Sequence, residues 1–112
     1  MKKSVARTLQ HQVKILENFS TSEIEQEKWQ EKFSTYAEIK PISDNRFTSI
    51  EHLNFGHIMT EGFYVFKMRF ITGITTKMRI SFRDRQFEIK RIINVEEKSK
   101  FLNIIGLEIY VC

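Results

Sequence analysis

The sequence is short of the residues that mark several protein classes. There is a single cysteine, Cys112, so no disulfide can form within the chain and no thiolate zinc site can be assembled. One proline and four glycines among 112 residues exclude collagen-like and flexible-linker sequences. No run approaches the roughly 18–20 apolar residues of a membrane-spanning helix. The start, Met1 to Leu9, is basic without an apolar core, so no secretory signal is expected and synthesis in a reducing cytoplasm is the default. Recognisable catalytic patterns are missing too. There is no Gly-rich phosphate loop, no GxSxG and no HExxH. His11, His52 and His57 are the only side chains suited to acid–base work at neutral pH, and they read as polar surface residues. Glu96 and Glu97 read as a solvated turn rather than a catalytic pair, and Trp29 as a core or rim anchor. No metal or cofactor is expected.

Aromatic and β-branched residues are plentiful. Ten of the fourteen aromatics are Phe, and hydrophobic residues make up 41% of the chain. A chain this long and this apolar folds as one domain, here residues 1–112, with 1–10 expected as a flexible tail. Period-2 alternation predicts strands over 12–19, 29–42, 63–71, 78–82, 87–95 and 101–111. In the second, Trp29, Phe33, Thr35, Ala37, Ile39 and Pro41 share one face. In the third, Tyr64, Phe66, Met68 and Phe70 do. Phe87, Ile89, Arg91 and Ile93 should share a face in the fifth. Ser43 as N-cap, then Phe47, Ile50 and Leu53, predict a short helix over 44–55, closed by Gly56. The turn Arg83-Asp84-Arg85-Gln86 lacks the usual Gly, and Asp84 is the expected left-handed residue. The fold class is therefore mainly β: a small antiparallel β-barrel of about six strands with one short inserted helix.

Charge is unevenly distributed. The net formal charge is +4, but residues 20–62 carry a net −4 and residues 63–91 a net +6. Such asymmetry suits polyanion contact or head-to-tail contact between copies of the chain. Lys67, Arg69, Lys77, Arg79, Arg83 and Arg85 form a candidate basic patch for DNA or subunit contact, if the strands carrying them are neighbours.

The run FYVFKMRF with Arg69 near its end is followed by a loop and then by Met78, Arg79, Ile80, Phe82, Arg85, Phe87, Ile89, Ile92, Asn94, Glu96, Leu102 and Glu108 in order. In this the C-terminal half resembles the phage head–tail joining (head-closure, or stopper, and head–tail adaptor) family. Trp29, Phe33, Ala37, Ile39, Pro41, Ile42 and Ser43 extend the resemblance, so that it covers about residues 7–110. The Gly-less turn and the aromatic-rich stretch NFGHIMTEGFYVF depart from the pattern.

The resemblance implies a non-enzymatic virion protein at the head–tail interface, made in the host bacterial cytoplasm. Its partners would be a portal or adaptor protein, a tail-completion protein, further copies of itself in a ring, and packaged double-stranded DNA without sequence preference. The irregular stretch holding His52, Asn54, His57, Thr60 and Glu61 is then the candidate channel-facing or gating loop. A second reading is a free-standing nucleic-acid-binding barrel similar to an OB fold, with Tyr36 and Tyr64 exposed for stacking. A small enzyme is a third.

Overall fold

A computed structural model describes residues 9–20, 27–42 and 62–109. Six strands occur: β1 (His11–Asn18), β2 (Trp29–Pro41), β3 (Phe63–Arg69), β4 (Arg79–Phe82), β5 (Arg85–Asn94) and β6 (Phe101–Ile109). All pair antiparallel and close into a barrel of order β1-β2-β3-β6-β5-β4. Closure is made where β4 returns to β1, with Ile15 opposite Ile80. A closed sheet leaves no free edge for unwanted pairing.

Alternation explains the core. Val13, Ile15, Ala37, Phe66, Met68, Ile80, Phe82, Phe87, Ile89, Leu102 and Ile104 point inward and are buried. Each large apolar side chain removed from water contributes about 1.5–3 kcal/mol, which makes this interior the main source of stability. No polar or charged residue among those described is buried.

Gly106 sits at a tightly packed point of the interior. It lies on β6 between Tyr64 and Ile89, under the edge-to-face pair of Phe66 and Phe87, whose ring centroids are 4.8 Å apart. A Cβ at Gly106 would sit 3.0 Å from Phe66 Cε1 and 3.1 Å from Phe87 Cβ.

Three expectations meet the structure differently. The predicted helix over 44–55 lies outside the described residues; among those described, the helical element is a 3-10 turn at Val95–Glu97. The left-handed residue of the β4–β5 turn is Arg83 (φ 55°), not Asp84. Positive φ at the first central residue alone fits a two-residue turn of the II′ pattern, whose twist matches the flanking strands. Finally, the alternation of β5 breaks. The register against β6 shifts between Ile89 and Arg91, so beyond that point Ile92 packs on the core and Ile93 joins a cluster on the outer face. A bulge of this kind bends a strand, as closing a six-stranded barrel requires.

The barrel has two unlike ends. At one, the β1–β2 hairpin, the loop 70–78 and the turn 95–100 meet. Phe70 and Ile74 pack on the core there, and Gly73 (φ 92°) approaches Phe33. At the other lie Leu9, Ile42, Gly62, the β4–β5 turn and the end of β6. Ile42 N–H donates to Phe63 O, and Gly62 O accepts from Glu108 N–H, so this end fixes where the segment 43–61 departs and returns.

Candidate interaction surfaces

The barrel order separates the six basic residues singled out from sequence. Two strands separate β3 from β4 in either direction round the barrel, so Lys67 and Arg69 do not share a face with Arg79. Sequence neighbours β3 and β4 are joined by a loop rather than paired, because β6 inserts beside β3 and β5 beside β4. Three separate groups result.

The first lies on the outer face of β2, β3 and β6. Glu38, Lys67 and Asn103 stand in one row across the three strands, and Lys40, Val65 and Ile105 in the next. Beyond these rows come exposed Arg69, paired with Phe101, and Tyr36, which is 53% exposed. Arg91 flanks Ile105 from β5. The Lys67 ammonium sits 5.5 Å from the Phe101 ring centroid, and Lys40 pairs with Glu38 at 3.2 Å. Between the strands lies a depression of about 120 Å³ lined by Glu38, Lys40, Val65, Lys67 and Asn103. The Asn103 Oδ1 is buried and has no hydrogen-bond partner among the described residues. A buried unpaired acceptor is costly, and native structures hold few.

The second group lies near the hairpin end. The Arg79 guanidinium stacks 4.1 Å from the Trp29 ring, donates to Gln86 Oε1 at 3.3 Å and lies 3.8 Å from Glu27 Oε2. Trp29 Nε1 donates to the same Glu27 oxygen at 2.8 Å. Trp29 is thus a half-buried rim anchor, and Arg79 is occupied within the chain. Lys77 is exposed in the loop 70–78 that leads into β4.

The third group is at the opposite end. Arg85 makes a two-pronged pair with Glu108, Nε to Oε2 at 3.0 Å and Nη2 to Oε1 at 2.9 Å. Its guanidinium also covers the rings of Tyr64 and Phe87, each at 5.0 Å. The hydrogen bonds that Arg85 donates to Glu108 hold its pKa above the ordinary value against the opposing effect of burial. This pair is a structural clasp between β5 and β6. Arg83 is exposed, with its guanidinium 4.9 Å from the Phe82 ring.

His11 packs edge-on against Phe82, with ring centroids 5.3 Å apart. His52, Asn54, His57, Thr60 and Glu61, the candidate gating-loop residues, lie outside the described residues. Among the described residues no three His, Cys, Asp or Glu side chains gather as metal ligands, and no helix is long and apolar enough to cross a membrane. Sequence reasoning missed the depression at Asn103, because its rows come from strands far apart in the chain. Nothing local in the sequence marks the Asn103 amide.

The arrangement defines a class first: a small closed antiparallel barrel with separate basic groups on its wall and at its two ends. The chain belongs to the phage head completion protein family, whose model matches residues 6–108. The family is a structural one of the phage head, which carries the chain to the virion. The solution structure of protein SF1141 from Shigella flexneri 2a is similar in fold, with a TM-score of 0.67 over 90% of this chain and 93% of that one, at 20% identity. No curated protein matches the chain.

Proposed function

We propose that this protein is a subunit of a head-closure ring that docks under the portal of a filled capsid, directly or through an adaptor. The ring would close the DNA channel and offer the surface to which the tail attaches. The observation that carries this reading is the family match across nearly the whole chain. The barrel supports it: a rigid closed sheet with interaction groups at both ends and on its wall suits a part stacked between others. Identical subunits joined by unlike faces close into a ring when the rotation between neighbours closes, and the uneven charge of the chain suits such contacts.

Within this reading His52, Asn54, His57, Thr60 and Glu61 are the proposed channel-facing residues. Their segment departs from and returns to one end of the barrel, at Ile42 and Gly62. Lys77 and Arg83, exposed and without a carboxylate partner among the described residues, remain proposed contacts for packaged DNA, which they would hold through phosphate without reading sequence.

One observation favours the OB-like alternative, the exposure of Tyr36. Tyr64 does not support it, being held half-buried against Phe87 with Arg85 over its ring. Co-purification with the portal ring encoded alongside, followed by electron microscopy, separates the two. A collar stacked at the tail-side end of the portal is the expected result. Failure to bind portal even with adaptor present, together with DNA binding that weakens steeply with salt, would overturn the proposal.

A further inference from the structure

We infer that residues 43–61 dock on the outer wall of the barrel, over an apolar patch on β3, β6 and the end of β5; the inference is independent of the ring reading. Ile42, Phe63, Val65, Ile93 and Ile105 form an apolar cluster of their own, apart from the interior. They lie on the side of the sheet that faces away from the barrel core. Lys40, Val65, Ile105 and Arg91 stand in one row across β2, β3, β6 and β5. The outer members of the row, Lys40 and Arg91, are exposed, whereas Val65 is 8% and Ile105 1% exposed. Strand neighbours stand beside an outward side chain and do not cover it, so a further layer lies over the middle of the row. None of the described residues supplies that layer. The strands are the wall itself, and the loop 70–78 and the 3-10 turn lie at the hairpin end, away from Ile42.

The course of the chain selects the occupant. The stretch 43–61 begins directly after Ile42 and ends directly before Gly62 and Phe63, so both its ends are anchored at members of the patch. The Ile42 N–H donates to Phe63 O at 2.9 Å and holds those ends side by side. Val65 is two residues along β3 from Phe63, and Ile105 is its partner on β6. A chain advances up to about 3.3–3.6 Å per residue, so this stretch reaches both and returns. It carries Phe47, Ile50, Leu53, Phe55, Ile58 and Met59, apolar side chains that leave water when they meet the patch. The other stretches fit poorly. Residues 1–8 lead into β1, across the barrel from β6, residues 21–26 join β1 to β2 at the hairpin end, and residues 110–112 are only three. A partner that approaches this wall therefore meets residues 43–61 before it meets Val65 or Ile105.

The test uses the isolated full-length chain. A photo-crosslinking amino acid replaces Arg91, the exposed neighbour of Ile105, and in a second sample Lys14, exposed on β1 across the barrel. After irradiation the monomer and any dimer are separated, digested and read by mass spectrometry. Within the monomer, position 91 should crosslink to residues 43–61 at least tenfold more than position 14 does. The triple variant Phe47→Ser, Ile50→Ser and Leu53→Ser should bring the two yields together and raise the fluorescence of a dye that binds apolar surface. If that variant fails to fold, the comparison between positions 91 and 14 in the parent decides alone. Equal yields from the two positions, no crosslink from position 91, or crosslinks from it chiefly to residues 1–8, to residues 110–112 or to a second chain would overturn the inference. The head-completion role rests on the family match and stands under any of these results.

Discussion

Substituting Gly106 by Ala tests how the barrel interior is filled. A new Cβ would lie 3.0 Å from Phe66 Cε1 and 3.1 Å from Phe87 Cβ, where ordinary contact begins at 3.4 Å. The Phe66 ring edge can tilt away, but its edge-to-face packing on Phe87 limits how far. Phe87 Cβ is tied to its own backbone, on β5 directly beside β6, and can move only if the strand moves. Overpacking of this kind costs about 1–3 kcal/mol. Removing a glycine from a strand would return about 0.5–1 kcal/mol by restricting the unfolded chain. The net expectation is a loss of about 0.5–2 kcal/mol, which for a domain this size lowers the melting temperature by roughly 2–10 °C. Thermal unfolding followed by circular dichroism measures it. Phe66→Leu in the Gly106→Ala background should cost less than Phe66→Leu in the parent, because the smaller side chain makes room for the methyl group. A Gly106→Ala protein as stable as the parent, or additive effects in the double variant, would refute the packing account.

Other outcomes follow from the same geometry. Arg85→Met strands a mostly buried Glu108 carboxylate and should cost about 1–3 kcal/mol in chemical denaturation. Because the folded state raises the pKa of Arg85, its contribution is present throughout the range below the ordinary guanidinium value and fades only as pH rises through the raised one. The stability gap between parent and Arg85→Met should therefore be equal at pH 7 and pH 9. Arg83→Gly relieves a left-handed residue and should stabilise by up to about 1 kcal/mol, seen as a higher denaturant midpoint with unchanged slope. Arg79→Ala uncovers the ring of Trp29, the single tryptophan, and should shift its fluorescence to longer wavelength with a stability loss of about 1 kcal/mol or less.

The strands were legible in the sequence because their pattern is local. Alternation of Val13 with Lys14, or of Phe66 with Lys67, needs only neighbouring residues to state which side is dry. The bulge in β5 was not legible. Phe87 to Ile93 reads as an unbroken alternation, and the shift at Lys90 arises because a strand in a closed barrel must bend against its partner. The turn residue was misassigned for a related reason. Asp tolerates positive φ better than Arg, but hairpin twist selects the position, and that position is occupied by Arg83. The family resemblance was carried by the order and spacing of apolar residues over most of the chain, which local patterning preserves.

By itself, then, the sequence determined the class of fold, the strand boundaries to within a residue or two, the inward-facing residues short of the bulge in β5, and the family. Each is written in hydrophobic period or in ordered spacing along the chain. Only the tertiary structure decided which charges stand together. It placed β6 between β3 and β5, so Lys67 and Arg69 left the company of Arg79 and Arg85 and met Glu38, Asn103 and Phe101 instead. Pairing partners in a barrel are chosen by closure and burial across the whole sheet, and adjacency along the chain does not fix them.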